Sequence, residues 1–280
     1  MMKDKPELMS LFWTTAGVAP GRGEISPYDF KDRVEAAARA GFHGIGIWHT
    51  DLEHILLRRP LAEMKTILDD NGIKYLELEF LTDWFLDGAR KAQSDSRRDK
   101  LFEASAALNA THVKVGDFDK SLHPLPQVTD SFAALCARAE EFGARIGFEL
   151  MGCAMIDNLA DGLRMLKGAA VKNGGLIIDI YQVANLGLSY AEISALPVGC
   201  LTSVELNDGI LPGHPGHDPN SRSFCGEGEY DIRGFIACIQ KTGYKGPWAV
   251  EVMSESLAGL PLMELSTRAY TTTMTEFADR

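Results

Sequence analysis

Short apolar runs alternate with segments of helical periodicity along the whole chain. The apolar runs predict eight strands, at 7–13, 44–49, 74–81, 111–116, 145–150, 176–181, 201–208 and 247–252. Strands that alternate with helical segments in this way are typical of βαβ units and a parallel sheet. The pattern therefore predicts an α/β protein.

Capping residues indicate where the intervening helices begin and end. Ser26 and Pro27 predict a helix start, with Ser26 as the N-cap, and Gly41 predicts the end of that helix. About eight strands in 280 residues without an internal linker predict a single (β/α)8 TIM barrel over residues 1–280. The alternative is an open doubly wound sheet, but no GxGxxG motif follows the first predicted strand.

Composition narrows the classes of partner. The net charge of −11 argues against a nucleic-acid partner, since nucleic-acid binders usually carry a basic surface. The five cysteines are odd in number and include no CxxC pair, so neither a disulfide framework nor a thiolate zinc site is expected. The N-terminal segment is charged, and no long apolar run occurs. We therefore expect a cytoplasmic protein without a membrane partner.

Four acids stand near the C-terminal ends of the last four predicted strands. They are Glu149, Asp179, Glu205 and Glu251. In a parallel barrel these strand ends converge on one mouth, where active sites lie. Burying four carboxylates is costly unless a positive charge lies among them. The pattern predicts a divalent-metal site, and the alternative is simple pairing with lysines or arginines.

An all-oxygen ligand set favours a hard ion. We expect one Mn²⁺ or Mg²⁺ ion, with Co²⁺ as an alternative. Four ionised carboxylates exceed the charge of one divalent ion. Either one acid is protonated, or Lys114 and Arg222 compensate the excess.

Other polar and aromatic residues are candidates for substrate binding. Lys114, in the fourth strand, either contacts substrate or pairs with Glu77 or Glu79 on the third strand. His49 ends the second strand and either reaches the mouth or lies on the surface. Trp13 ends the first strand, where it forms an aromatic wall for a sugar-like ligand or packs in the core.

A motif near the C-terminus resembles a known family. Arg222 to Gly228 read R-x-x-x-G-x-G, and Gly243-Tyr244-x-Gly246 and then Glu251 follow. With the segment AGFHGIGI at the second strand, this resembles the xylose isomerase-like barrel family of ketose 3-epimerases, hydroxypyruvate isomerase, and inosose isomerases and dehydratases. The resemblance implies that Glu149, Asp179, position 205 and Glu251 hold one divalent ion, and that the two glutamates Glu149 and Glu251 also move protons.

Two positions depart from the family pattern. The sixth-strand D-x-x-H motif reads Asp179 to Gln182, and the seventh-strand H-x-x-D motif reads Glu205 to Asp208. Gln182 retains the ability to bind a substrate hydroxyl, and Glu205 retains the ability to ligate a metal. The loss of two histidines argues against the endonuclease branch of the family, which needs several histidines for a zinc cluster.

The resemblance implies an isomerase or epimerase of a small ketose, keto-polyol or related hydroxyketone. Glu149 and Glu251 would transfer protons through an enediolate, and Arg222 would orient the substrate. A dehydratase using the same intermediate, and a non-catalytic ligand-binding barrel, are the alternatives. The expected partner is a small carbohydrate-like molecule, and the sequence leaves homo-oligomerisation open.

Overall fold

Eight parallel strands form a closed barrel in which each strand neighbours the next in sequence and β8 pairs with β1. A computed structural model describes residues 5–118, 123–218, 221–257 and 259–278. The strands are β1 (Leu8–Ser10), β2 (Gly44–Trp48), β3 (Tyr75–Leu81), β4 (His112–Val115), β5 (Ile146–Glu149), β6 (Gly174–Asp179), β7 (Leu201–Leu206) and β8 (Trp248–Val250). The predicted (β/α)8 barrel is confirmed.

Helices surround the barrel and occupy most of the connections. They are α1 (Phe12–Thr15), α2 (Phe30–Ala40), α3 (His49–Leu56), α4 (Leu61–Asp70), α5 (Gly88–Leu108), α6 (Leu125–Glu140), α7 (Leu159–Ala169), α8 (Ile180–Leu186), α9 (Tyr190–Ser194), α10 (Ile232–Lys241) and α11 (Leu262–Glu276). None of these helices, over the ranges that the structure describes, has the length and apolar character that crossing a bilayer requires.

The strands are buried on both faces, which explains their apolar runs. Leu78, Val113 and Phe148 lie in the large core between the sheet and the helices. Complete burial of such a side chain contributes about 1.5–3 kcal/mol. Inside the barrel, Met9 and Ala249 belong to a small apolar cluster, whereas the C-terminal ends of β5–β8 carry acids.

Three predicted strands run on into segments that are helical in the structure. β1 stops at Ser10, so Trp13 lies in α1, and β2 stops at Trp48, so His49 begins α3. β6 stops at Asp179, whose side chain accepts a hydrogen bond from the backbone N–H of Tyr181 and caps α8. The chain turns into a helix directly at the barrel mouth, and apolar periodicity alone does not mark that change.

The start of α2 also differs from the prediction. Asp29, not Ser26, is the N-cap and accepts a hydrogen bond from the backbone N–H of Lys31. Ser26 instead donates its hydroxyl to the carbonyl of Ala16 at 2.7 Å. The predicted end is correct, since Gly41 caps the helix at φ 113°, a conformation that favours glycine.

The connection from β7 to α10 is anchored by Asp208. Its backbone forms an antiparallel bridge with Ser223, next to Arg222. Its buried carboxylate accepts hydrogen bonds from the backbone N–H groups of Gly209, Gly226 and Tyr230 at 2.8–3.0 Å. These contacts fix the backbone that carries Arg222.

Candidate active site

The four predicted acids meet at the C-terminal end of the barrel. Each offers a carboxylate oxygen within 4.8 Å of the others, and all four side chains are buried. Glu149 ends β5, Asp179 ends β6, Glu205 lies in β7, and Glu251 follows β8. We call these four residues the carboxylate cluster.

Lys114 extends into the carboxylate cluster from β4. Its ammonium group lies 2.8 Å from an oxygen of Glu205 and 3.2 Å from oxygens of Glu149 and Glu251. Lys114 is paired with Gly147 in the β4–β5 register, two residues before Glu149. The lysine therefore originates one layer below the acids and reaches up among them.

Arg222 is the second cation in contact with the carboxylate cluster. Its Nη1 donates a hydrogen bond to Glu251 at 2.7 Å and lies 2.9 Å from Asp179 Oδ2. The guanidinium lies 4.3 Å from the ring centroid of Tyr181, within the range of a cation–π contact. Arg222 is thus held between two acids and an aromatic ring.

Burial and neighbouring charges shift the pKa values of Glu149 and Glu251 in opposite directions. Burial raises the pKa of Glu149 to about 7, although Lys114 favours its ionised form. Burial would also raise the pKa of Glu251, but Lys114 and Arg222 outweigh that effect and lower it below its usual value. Near neutral pH, Glu149 is therefore partly protonated while Glu251 is ionised.

Asp179 and Glu205 lie deeper than the other two acids. Burial raises the pKa of both carboxyl groups, and raises that of Glu205 far above its usual value. Asp179 Oδ1 accepts hydrogen bonds from the Asn207 side chain at 2.8 Å and from the backbone N–H of Tyr181 at 2.9 Å. Neither acid lines the cavity described next.

A cavity of about 750 Å³ opens over the carboxylate cluster. Glu149, Glu251, Lys114 and Arg222 form its charged side. The opposite side carries four aromatic residues with neighbouring ring centroids 5.2–5.9 Å apart, which we call the aromatic wall: Trp13, Trp48, Phe80 and Phe118. A cavity of this size suits a small organic ligand.

The other predicted substrate contacts divide into two groups. Trp13, Gln182, Lys114 and Arg222 all line the cavity. His49 does not belong to the described cavity lining; it stacks on Trp48, and its Nδ1 faces the backbone N–H of Phe80 at 3.4 Å.

The pairing that the sequence suggested between Lys114 and the third strand is replaced by another arrangement. Glu77 contacts His112 Nε2 at 2.5 Å, and Glu79 accepts a hydrogen bond from the backbone N–H of Phe12 at 3.2 Å. Lys114 forms its ion pairs with β5, β7 and the end of β8 instead. β5 neighbours β4 in the sheet, whereas β7 and the end of β8 reach Lys114 across the barrel interior, which adjacency in the sheet did not reveal.

Three contributors to the site were not singled out from the sequence. Tyr181 lies beneath Arg222, Asn207 binds Asp179, and Asp208 anchors the loop that carries Arg222. The period-two pattern did place Asn207 on the face of Glu205, and Tyr181 on the face of Asp179. The sequence pattern could therefore have identified Asn207 and Tyr181. It could not have identified Asp208, because contacts between its side chain and the backbone produce no periodic pattern in the sequence.

The carboxylate cluster fits a divalent ion by two criteria. Trans oxygens around Mg²⁺ lie about 4.2 Å apart, twice the ~2.1 Å ligand distance, and the four acids approach this spacing. Glu205 Oε2 is buried and has no hydrogen-bond partner among the described residues, whereas Asp179 Oδ2 and Glu205 Oε1 lie within ion-pair distance of Arg222 and Lys114. A buried carboxylate oxygen without a hydrogen-bond partner is suited to a cation.

Sequence comparison finds related dehydratases. The 3-dehydroshikimate dehydratase of Pseudomonas aeruginosa is 25% identical over 238 residues, which cover 82% of this chain and 37% of that protein. The chain thus spans little more than a third of the length of the curated relatives it matches.

Solved structures share the fold. The IolI protein, determined with a bound zinc atom, superposes with a TM-score of 0.84 at 17% identity, over 96% of this chain and 97% of that chain. D-allulose 3-epimerase from Methylomonas sp. in complex with D-allulose gives a TM-score of 0.72 at 18% identity, over 98% of each chain. The family model for xylose isomerase-like TIM barrels matches residues 34–270. The chain belongs to the xylose isomerase-like TIM-barrel family.

Proposed function

We infer that this protein transfers a proton at the carbon next to a carbonyl group, as an isomerase or epimerase of a small ketose, keto-polyol or related hydroxyketone. The observation that carries the proposal is that Glu149 and Glu251 both line a single cavity. Their pKa values are shifted in opposite directions, which is typical of paired acids and bases.

The proposed reaction assigns one role to each glutamate. The ionised Glu251 removes the proton from the α carbon, and the electron pair of the broken C–H bond moves onto the carbonyl oxygen to give an enediolate. In an epimerase, the protonated Glu149 then returns a proton to the same carbon. In an isomerase, the neighbouring hydroxyl proton first moves to the new oxyanion, and Glu149 then protonates the former carbonyl carbon. A final proton transfer through solvent from Glu251 to Glu149 restores both groups.

The carboxylate cluster would hold one divalent ion, with Mn²⁺ or Mg²⁺ favoured by its oxygen ligands and Co²⁺ as an alternative. When bound, such an ion supplies positive charge that stabilises oxyanions in the substrate. Arg222 and Gln182 would orient the polar edge of the substrate. The aromatic wall would contact its C–H face.

Dehydration is the second candidate, favoured by the similarity to 3-dehydroshikimate dehydratases. It begins with the same proton removal by Glu251. The enediolate then expels a hydroxyl group from the β carbon, and the proton of Glu149 accompanies that hydroxyl as water. The two reactions differ only in where the second proton goes.

Solvent exchange tests the proposed function. Hydroxyketones deuterated at the α carbon, with 3-dehydroshikimate included in the panel, are incubated with protein and Mn²⁺. We expect deuterium to wash out of at least one compound. Glu251→Gln should slow the exchange ~10²–10⁴-fold, because an amide cannot accept the proton. Glu79→Gln, a buried acid outside the carboxylate cluster, is the matched control.

Mass spectrometry of the products separates the candidates. An unchanged mass with altered stereochemistry or carbonyl position supports the isomerase or epimerase. Loss of one water supports the dehydratase. Binding of a panel compound without exchange or product would contradict both and support a ligand-binding barrel. Turnover with full retention of deuterium would contradict proton transfer and indicate a hydride shift.

A further inference from the structure

Lys114 and Glu205 differ in their access to the cavity. Lys114 lines the cavity, whereas Glu205 is completely buried and does not reach the cavity surface. The distance of 2.8 Å to Glu205 is the shortest of the three ion pairs that Lys114 makes. A cation that enters from the cavity therefore meets Glu149 and Glu251 first, and meets Lys114 before Glu205.

The charges around the cluster explain why a lysine is present there. The sequence has an acid at position 205, where the family pattern has a neutral histidine. One added buried negative charge is costly unless a positive charge accompanies it. Lys114 supplies that charge, and the Glu205–Lys114 pair as a whole is neutral.

We propose that Lys114 and Glu205 act as one neutral unit that withholds Glu205 from the metal, so that Glu149, Asp179 and Glu251 alone are the protein's anionic ligands. The proposal rests on the divalent ion of the proposed function. In this arrangement, Glu205 pairs with Lys114 and does not coordinate the ion. Lys114 then sets the metal affinity of the site, because its positive charge limits how strongly any divalent ion binds.

The number of charges in the cluster predicts how the metal affinity should change when Lys114 is replaced. Four carboxylates face two cations, so the ionised cluster retains two negative charges, which one divalent ion neutralises. Removing Lys114 takes away one positive charge, so the net charge of the cluster becomes more negative by one. It also leaves Glu205 free to act as a further ligand. Two unit charges about 4 Å apart interact by roughly 4 kcal/mol at an effective dielectric constant of 20, so the gain in affinity should be large.

Mn²⁺ titration by calorimetry on chelator-treated protein tests the proposal without any substrate. We expect Glu149→Gln and Asp179→Asn to weaken binding at least ~10-fold, since each removes an anionic ligand. Glu205→Gln should weaken binding through charge alone, because it leaves Lys114 uncompensated beside the ion. Removal of both members of the neutral pair should instead leave the affinity within about threefold of wild type, like the control Glu79→Gln. Lys114→Met should bind Mn²⁺ at least ~10-fold more tightly than wild type.

The double variant Lys114→Met/Glu205→Gln measures the coupling between the two residues. Once Lys114 is gone, Glu205 is free to bind the ion, so its replacement should now weaken binding at least ~10-fold. Thermal unfolding provides a second readout. Lys114→Met should unfold at lower temperature without metal and gain more from Mn²⁺ than wild type does.

Each outcome decides the proposal. A double variant that binds Mn²⁺ at least ~10-fold more weakly than wild type would show that Glu205 is a ligand and would overturn it, while leaving proton transfer intact. Binding by Lys114→Met but not by wild type would overturn the proposal, because the wild type would then lack the three-acid site, and would also contradict a metal-dependent function. Absence of binding in every variant would overturn both. If Lys114→Met does not fold, the double variant, which leaves no uncompensated buried charge at this pair, carries the comparison with wild type.

Discussion

The two sides of the barrel mouth are built from the same repeating unit but differ in chemistry. The aromatic wall comes from α1, β2, β3 and the segment after β4, whereas the carboxylate cluster comes from the ends of β5–β8. The aromatic wall is held by ring contacts, and the cluster by ion pairs with Lys114 and Arg222. Under the proposed function, the aromatic wall would contact the apolar face of the substrate and the carboxylate cluster would transfer the proton.

The largest effect is expected on the acidic side. Glu149→Gln should reduce kcat ~10²–10⁴-fold, or about 3–5 kcal/mol, because the amide cannot deliver a proton to carbon. KM should change only a few-fold, since the side chain keeps its size. Steady-state kinetics on a substrate identified by deuterium exchange would measure both. A large rise in KM with normal kcat would instead make Glu149 a binding residue.

An effect on stability is expected beside the aromatic wall, at His49. Burial, with a contribution from Arg97, lowers the pKa of His49 to about 4, whereas the unfolded chain titrates near 6.5. The unfolded state thus binds more protons between pH 4 and 6.5, so the free energy of unfolding should fall as the pH drops through this range. The loss attributable to His49 is at most about 3 kcal/mol.

Urea unfolding between pH 4 and 7 isolates this contribution. The wild-type curve includes every titrating group, so the informative quantity is the difference between wild type and His49→Gln. The difference in the free energy of unfolding between wild type and His49→Gln should become smaller as the pH falls. His214→Gln, at an exposed histidine, should run parallel to wild type. A parallel curve for His49→Gln would show that His49 titrates normally.

The smallest effect is expected for the aromatic wall itself. Trp13→Leu should raise KM about tenfold, or ~1.4 kcal/mol, because the substrate loses contact with an indole face, and should leave kcat within a few-fold. Trp84→Leu is the matched control, because Trp84 packs against Phe132 and Phe148 in the core outside the cavity. Equal changes in KM for the two variants would indicate a general loss of stability rather than a binding role.

The sequence was informative where the apolar periodicity of a strand coincided with an acidic residue near its end. Apolar periodicity located all eight strands, and acids near strand ends identified Glu149 and Glu251 on the cavity. Strand ends were overestimated at Trp13 and His49, because a helical turn at the mouth continues the same apolar composition. The sequence offered two sets of partners for Lys114, the four acids or Glu77 and Glu79, and could not choose between them, because barrel closure brings β4 side chains against β7 and β8 across the interior.

The bridge between Asp208 and Ser223 has a consequence for protein engineering. Two backbone hydrogen bonds of 2.8–2.9 Å close the segment between them, and Asp208 independently ties the chain after it to Gly226 and Tyr230. The position of Arg222 is therefore fixed from outside the closed segment. Because loop-closure entropy grows slowly with length, the chain between residues 209 and 221 is a natural place to graft longer sequences. New ligand preferences would then be selectable over an unaltered carboxylate cluster.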